Sequence, residues 1–560
     1  STNANLYNKP KTMRTLITLV LIFTLFYSHA QVLENGVMDI NNIEALLNAD
    51  GGMFMEAEDF DPFFYVPKPT GDNPPSTIFS AGLWIGATDV SGNKYTAAHI
   101  YRQFGQDFWF GPVAMDYTDA DYIEKYNNVW ICDKPTIENH ITNFATAGYE
   151  VPLSIASWPG NGNIENGESP ILAPFFDYNN NLIYDPENGD YPIIRGDKAA
   201  YFIFNDDADI HTETDGAKLK LELHGMAYAF DAPEDSALNN TLFINYSIIN
   251  RSLIDYTQFQ VGVFTDFNVG AFDDDYVGCD TTLNMFFGYN MDLCDGPTTP
   301  NYGFDVPAQG MIFLNESMYT FKNYYNDFSV IGKPVTDEDY INYLAGNWKD
   351  GTPQTYGDNG YGGLINSRYM FPSDIFDTLG WSAVNSLHAP SDARVVGAIS
   401  PQTFLSNDTL CLDIAFPFAI AYDDWYIDSL GPSYRAWYAV SKLKERANQV
   451  LEYYDTNVSD CQIVYAKNPD FVLDVEKEVL SGYSIAPNPV SHSITINIDD
   501  KAMGECHIAI YNSSGVILQQ SIADGSQPII VDMFRFPQGM YLIQIKSKNK
   551  NLINHLINKL

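Results

Sequence analysis

Short runs in which apolar residues recur at every second position dominate the chain. The clearest is KLKLELHGMAYAF at 218–230, where Leu219, Leu221 and Leu223 alternate with Lys220, Glu222 and His224. A period of two puts one face of a strand on a core and the other toward solvent. Residues 76–101, STIFSAGLWIGATDVSGNKYTAAHIY, hold two such runs joined at Ser91-Gly92-Asn93, which predicts a hairpin. AAYFIFND (199–206), TLFINYSIINRS (241–252) and YTQFQVGVFTDF (256–267) continue the pattern. Together they predict a long antiparallel sheet or sandwich. The period changes to that of a helix only late, in PSYRAWYAVSKLKERANQVLEYYD (432–455). There Val440, Leu443, Ala447 and Leu451 share one face, which predicts a helix packed on the sheet.

The C-terminal residues 482–560 return to alternation on a smaller scale. Ile494, Ile496 and Ile498 share one side of a strand, with Thr495 and Asn497 on the other. CHIAIYNSSGVILQQS, PIIVDMF and the closing PQGMYLIQIKSKNKNLINHLINKL add further short strands. About seven strands in so short a span predict a small sandwich of the immunoglobulin-like kind. The fold class expected is therefore mainly β. An antiparallel sandwich-type body with one late packing helix precedes a small C-terminal β-sandwich. The body reads as an N-terminal β-rich region (31–200) and a β-rich core (201–455), with 456–481 as a linker.

The N-terminal end is different. MRTLITLVLIFTLFYSHAQ (13–31) has a positive start at Arg14, an apolar run from Leu16 to Phe26, and small residues at Ser28 and Ala30 before Gln31. This is the pattern of a cleaved signal peptide occupying residues up to 30, with residues 1–12 upstream of the better start at Met13. The apolar run is too short to span a bilayer, and no other stretch is long enough. The mature chain is expected to have no transmembrane segment.

Composition narrows the partners. Asp and Glu number 71 against 30 Lys and Arg, a formal charge of −41, which disfavours nucleic acid and anionic lipid as direct partners. Such a surface attracts divalent cations instead. Six cysteines in an exported chain permit disulfides, but no spacing suggests zinc or redox chemistry. Cys279 and Cys294 are close enough in sequence to close a local loop; buried free thiols are the alternative.

Two segments carry candidate metal chemistry. In DYNNNLIYDPENGD (177–190), Asp177, Asn179, Asn181 and Asp185 supply side-chain oxygens at positions 1, 3, 5 and 9, and Ile183 offers its carbonyl at position 7. That alternation suits a structural calcium ion. The loop departs from the EF-hand at Leu182, where Gly is expected, and at Asn188, where a bidentate Glu is expected. A metal-free Asn-rich turn is the alternative. The second segment, DFNVGAFDDDYVGCD (266–280), crowds Asp266, Asp273, Asp274, Asp275 and Asp280, as a cation site or a solvated acidic loop. For catalysis, no GxSxG, HExxH or phosphate-binding glycine loop occurs. His99, His140, His211, His224 and His388 are scattered and read as structural. Aromatic loops at 107–113, 157–162 and 346–363 are candidates for stacking on sugars, with plain core packing the alternative.

Pro487-Asn488-Pro489, the YNSSG turn ending at Gly515, FPQGMYLIQI with Gly539 and Tyr541, and the closing INKL occur in a telling order. They resemble the type A C-terminal sorting domain of the type IX secretion system. The resemblance implies a cargo of a Bacteroidota bacterium, engaged by the secretion machinery through residues 482–560. Such cargo is released or attached to surface lipopolysaccharide. STIFSAGLWIGATD, YRQFGQDFWFGP, DYNNNLIYDPENGDYP and DDDYVGCD resemble an uncharacterised group of large secreted proteins, which transfers no catalytic residues. The expectation is a secreted or cell-surface, calcium-stabilised protein in an adhesive, structural or glycan-binding role. The alternative is an extracellular hydrolase acting on polymers.

Overall fold

The computed structural model describes residues 32–462 and 483–559, apart from 72, 292–293, 297–298, 387–391, 422–431, 459, 488–489, 499–504, 512–516, 525–526, 537–538 and 548–551. The signal-peptide segment, most of the expected linker and His388 lie outside the described residues. The chain divides into two compact units, one ending at 467 and the other beginning at 468.

The body unit is built on two antiparallel sheets. The larger has nine strands. Its spatial order runs Asp275–Asp280, Met285–Asn290, Val306–Phe313, Thr409–Ala421, Thr241–Asn250, Leu221–Ala229 and Lys198–Asn205, with Trp109–Phe110 and Trp130–Asp133 both paired to the last. The strand Lys198–Asn205 crosses residue 200, so both halves of the body contribute to one sheet. The smaller sheet runs Met318–Tyr324, Ala393–Ile399, Tyr256–Phe267, Ile78–Thr88 and Lys94–Ala98, with Gln402–Phe404 beside Tyr256–Phe267. Ile78–Thr88 and Lys94–Ala98 form the hairpin that the sequence predicts.

The sheets pack face to face. Phe202, Phe204, Leu223, Ile244 and Phe416 from the larger join Leu83, Val261, Val263 and Val395 from the smaller in one core. A side chain at Gly397 would place its Cβ 2.5 Å from the Phe286 ring, so the close approach of the sheets requires glycine there. The outer face of the larger sheet is also covered. The helix Pro432–Asn457 lays Ala439, Val440, Leu443, Ala447 and Val450 on it, each 4% exposed or less.

Full cover on both faces overturns one expectation. On the polar face of 218–230 Lys220 stays exposed, but Glu222 and His224, within the strand, do not meet solvent, at 1% and 3% exposed. They persist there because they bond each other at 3.0 Å, Glu222 pairs with Arg251, and it accepts the Val113 N–H at 3.0 Å. Four shorter helices also occur among the described residues, at Ala120–Tyr126, Lys134–Asn143, Leu153–Ala156 and Asp337–Leu344.

The cysteine expectation is corrected as well. Cys411 is bonded to Cys461, and Cys279 and Cys294 are free thiols. In the hairpin Cys279 lies opposite Phe286, near the turn, whereas Cys294 follows Asn290, which pairs with Asp275 at the other end.

The C-terminal unit is a seven-stranded sandwich. Three strands (Tyr483–Ala486, Ser493–Ile498, Ile529–Asp532) face four (Ile517–Asp524, Glu505–Tyr511, Gly539–Ser547, Leu552–Lys559). Ile494, Ile496, Ile508, Ile510, Ile543 and Ile545 form its core.

Candidate ligand-binding site

Residues of the strand Tyr256–Phe267 alternate between the intersheet core and the outer face of the smaller sheet. Gly262 marks the outer face, because a Cβ there would meet Leu344 of the helix Asp337–Leu344 at 2.5 Å. Asp266 lies on that face, four residues on. Antiparallel register sets Tyr324 opposite Arg394, Arg394 opposite Asp266, and Asp266 opposite Ser80. Ser80 Oγ donates to the Ile100 carbonyl at 2.9 Å, holding the chain so that the Tyr101 hydroxyl donates to Asp266. Arg394 places its guanidinium 5.3 Å from the Tyr101 ring centroid and its Nε 3.6 Å from Asp266, and donates to Asp392 Oδ2 at 2.8 Å.

This group forms one wall of a cavity of about 360 Å³. Phe79, Phe267, Phe272, Asn268 and Gln103 line the remainder. The volume is in the range of small-molecule sites, and an apolar wall with a few convergent polar groups is their usual composition. Asp266 is 4% exposed, and burial, reinforced by the charge of Asp392, pushes its carboxyl up to about 8 against the opposing pull of Arg394. It therefore holds a proton at neutral pH and can donate as well as accept. The described lining contains no Ser, Cys, Lys or His to serve as a nucleophile or its base. Sequence reading singled out Asp266 but missed Tyr101, Asp392 and Arg394. They are distant in the chain, and only strand register brings them together.

The other acids of 266–280 are placed apart. Asp273 is exposed, whereas Asp275 is buried and accepts from the Val269 N–H at 2.9 Å. Asp280, at the far end of the same strand, pairs with Lys444 at 2.9 Å. Asp295 joins the Asp274–Asp275 corner, where burial pushes its carboxyl up to about 6.

The 177–190 loop, in contrast, does gather its polar residues. Asp177 accepts from the N–H groups of Asn181 (3.1 Å) and Leu182 (2.8 Å). Asp185 accepts from the amides of Asn179 (3.1 Å), Asn181 (2.9 Å) and Asn188 (3.0 Å). Asn181 Oδ1 accepts from Ile183 N–H at 2.7 Å. Asp190, fully buried, is pushed up to about 6 by burial and by the charges of Asp185 and Asp177. Among the described residues, no three His, Cys, Asp or Glu side chains are arranged to hold a metal ion.

The histidines have structural partners. His99 lies 3.5 Å from Asp50, His140 bonds the Asp190 carbonyl, His211 bonds the Thr96 and Asp206 carbonyls, and His224 bonds Glu222. Two tryptophans of the aromatic loops belong to the core, Trp158 and Trp348 at 3% and 0% exposed, whereas Trp109 is half-buried. Of the sorting motif, Pro487 is exposed, Gly539 opens a strand and Tyr541 is buried against Phe536. Asn488, Pro489 and Gly515 lie outside the described residues. Among the described residues no helix is long and apolar enough to cross a membrane.

No curated protein matches the chain at a significant level. Solved structures with some likeness include a polysaccharide lyase (8% identity, TM-score 0.18, covering 60% of this chain and 34% of that one). A biofilm-associated protein BSP domain follows (10%, 0.12, 58% and 61%). Dimeric latent PorU from Porphyromonas gingivalis is a third (11%, 0.12, 65% and 31%). The chain thus spans less than two thirds of each, and at these scores the likeness carries no inference about the body. Residues 484–559 match the family described as secretion system C-terminal sorting domain. The seven-stranded C-terminal sandwich is such a sorting domain, of the type IX system, and it marks the chain as secreted or cell-surface.

Proposed function

We propose that the body is a non-catalytic binding protein that receives part of an extracellular ligand, such as a glycan or another surface component, in the cavity over Asp266 and Arg394. The observation that carries this reading is a cavity with a fixed charged group on one wall and aromatic rings around it, the composition that suits a bound ligand. After sorting, the chain acts either released or held on surface lipopolysaccharide of a Bacteroidota cell.

A specific observation also favours the hydrolase reading. Asp266, protonated at neutral pH and hydrogen-bonded to Asp392, is a general acid by charge state. Against it, carboxylates in direct contact leave no room for the sugar that a glycosidase holds between acids about 5–10 Å apart. The two readings separate when the full chain is incubated with a panel of extracellular polysaccharides and proteins. Binding predicts retention with no new reducing ends or amino termini; product release abolished by Asp266→Asn would install the hydrolase.

The 177–190 loop is proposed as a calcium staple. Asn179, Asn181 and Asn188 all converge on Asp185, and the like charges of Asp177, Asp185 and Asp190 favour a cation. Calcium is expected to raise the melting temperature and EDTA to lower it. An unchanged melt removes the staple.

A further inference from the structure

Resting on the cavity being the ligand site, we infer that it selects a cationic organic group, a primary ammonium carried on an apolar or sugar frame. The charged groups lining the cavity are two carboxylates and one guanidinium. Arg394 is committed to both acids, at 2.8 Å from Asp392 and 3.6 Å from Asp266. Arg394 offsets the charge of Asp392, so a second cation can be accommodated where it takes the place of the proton on Asp266.

The exposures order the groups in the same sense. The Asp392 side chain is 33% exposed, against 16% for Arg394 and 6% for Asp266. An entering ligand therefore meets the carboxylate of Asp392 before the guanidinium. An anionic ligand would have to displace Asp392 from Arg394, with no other cation in the described lining to receive it. A cation instead bridges the two acids and replaces the proton that burial now forces onto Asp266. The walls add to this preference. Phe272, 54% exposed, and Phe79 add aromatic surface to the lining, which attracts an ammonium group and covers its carbon frame. The formal charge of −41 concentrates cations near such a surface.

Three isosteric probes test the inference by calorimetric titration of the full chain: benzylammonium, benzyl alcohol and benzoate. Benzylammonium is expected to bind at least tenfold more tightly than the alcohol, and benzoate more weakly still. Asp392→Asn should weaken benzylammonium at least fivefold without lowering the melting temperature, whereas Asp231→Asn, an exposed acid elsewhere, should leave it unchanged. Equal or tighter binding of the alcohol or benzoate overturns the cationic preference while keeping the cavity as a site. If none of the three binds, the site itself fails. Equal losses in Asp392→Asn and Asp231→Asn reduce the effect to general surface charge and also overturn the inference. Titrations with glucosamine, N-acetylglucosamine and Nα-acetyl-lysine amide then tell an amino sugar from a lysine-type amine.

Discussion

Asp266 and Glu222 are both buried acids, but their neighbours drive them in opposite directions. Glu222 has Arg251 and His224, which outweigh burial and hold its carboxyl down to about 2. Its ionic contribution is present above the unfolded value near 4.3 and is lost as pH falls toward 2. Glu222→Gln should cost roughly 3 kcal/mol at pH 7, because it removes the charged partner of Arg251, and the gap to wild type should narrow below pH 4 in denaturant melts. Asp266 has the reverse linkage. The folded state holds its proton up to about pH 8 while the unfolded chain releases it near 3.9, so the native state loses stability as pH rises through that window. Asp266→Asn keeps the shape without the titration. Its melting temperature relative to wild type should rise between pH 5 and pH 8, and a flat difference would contradict the assigned environment. Neither behaviour was legible locally: the alternation around Glu222 reads as a solvent face, and Asp266 reads as one of an acidic crowd.

At the scale of elements, the long helix was legible because its apolar stripe is its link to the sheet. Of the residues that the spacing names, Val440, Leu443 and Ala447 are buried, while Leu451 is half-buried and Val450 takes the core position beside it. Leu443→Ala should cost about 2–5 kcal/mol, read as a lower denaturant midpoint with little change in slope. The shorter helices span few turns, so their apolar spacing repeats too seldom to stand out, but their caps are written in the chain. Asp133 accepts from the Thr136 N–H at 2.8 Å ahead of Lys134–Asn143, and Thr336 with Asp339 forms a capping box before Asp337–Leu344. Reading for caps as well as period would have found both. The Cys411–Cys461 pairing was not legible, since it depends on where the chain returns after the helix. Reducing it should lower stability by roughly 4 kcal/mol, because it closes a long loop in the unfolded chain.

At the scale of the whole molecule, destination and activity were unequally legible. The sorting sandwich is a local unit whose turns and strands lie in order along a short span, so its motifs survive in one dimension. A chain lacking 484–559 should stay in the periplasm on fractionation, whereas the intact chain reaches the surface or the medium. The proposed binding cavity instead draws on strands from across the smaller sheet, and only folding brings Tyr101, Asp266, Asp392 and Arg394 together. The most direct test fills that cavity. Gln103 is exposed at its lining, and Gln103→Trp places an indole there without disturbing the charged group. Retention on an array of extracellular glycans and surface components should fall at least tenfold relative to wild type, with the melting temperature unchanged. Undiminished retention by the occluded variant would contradict the account.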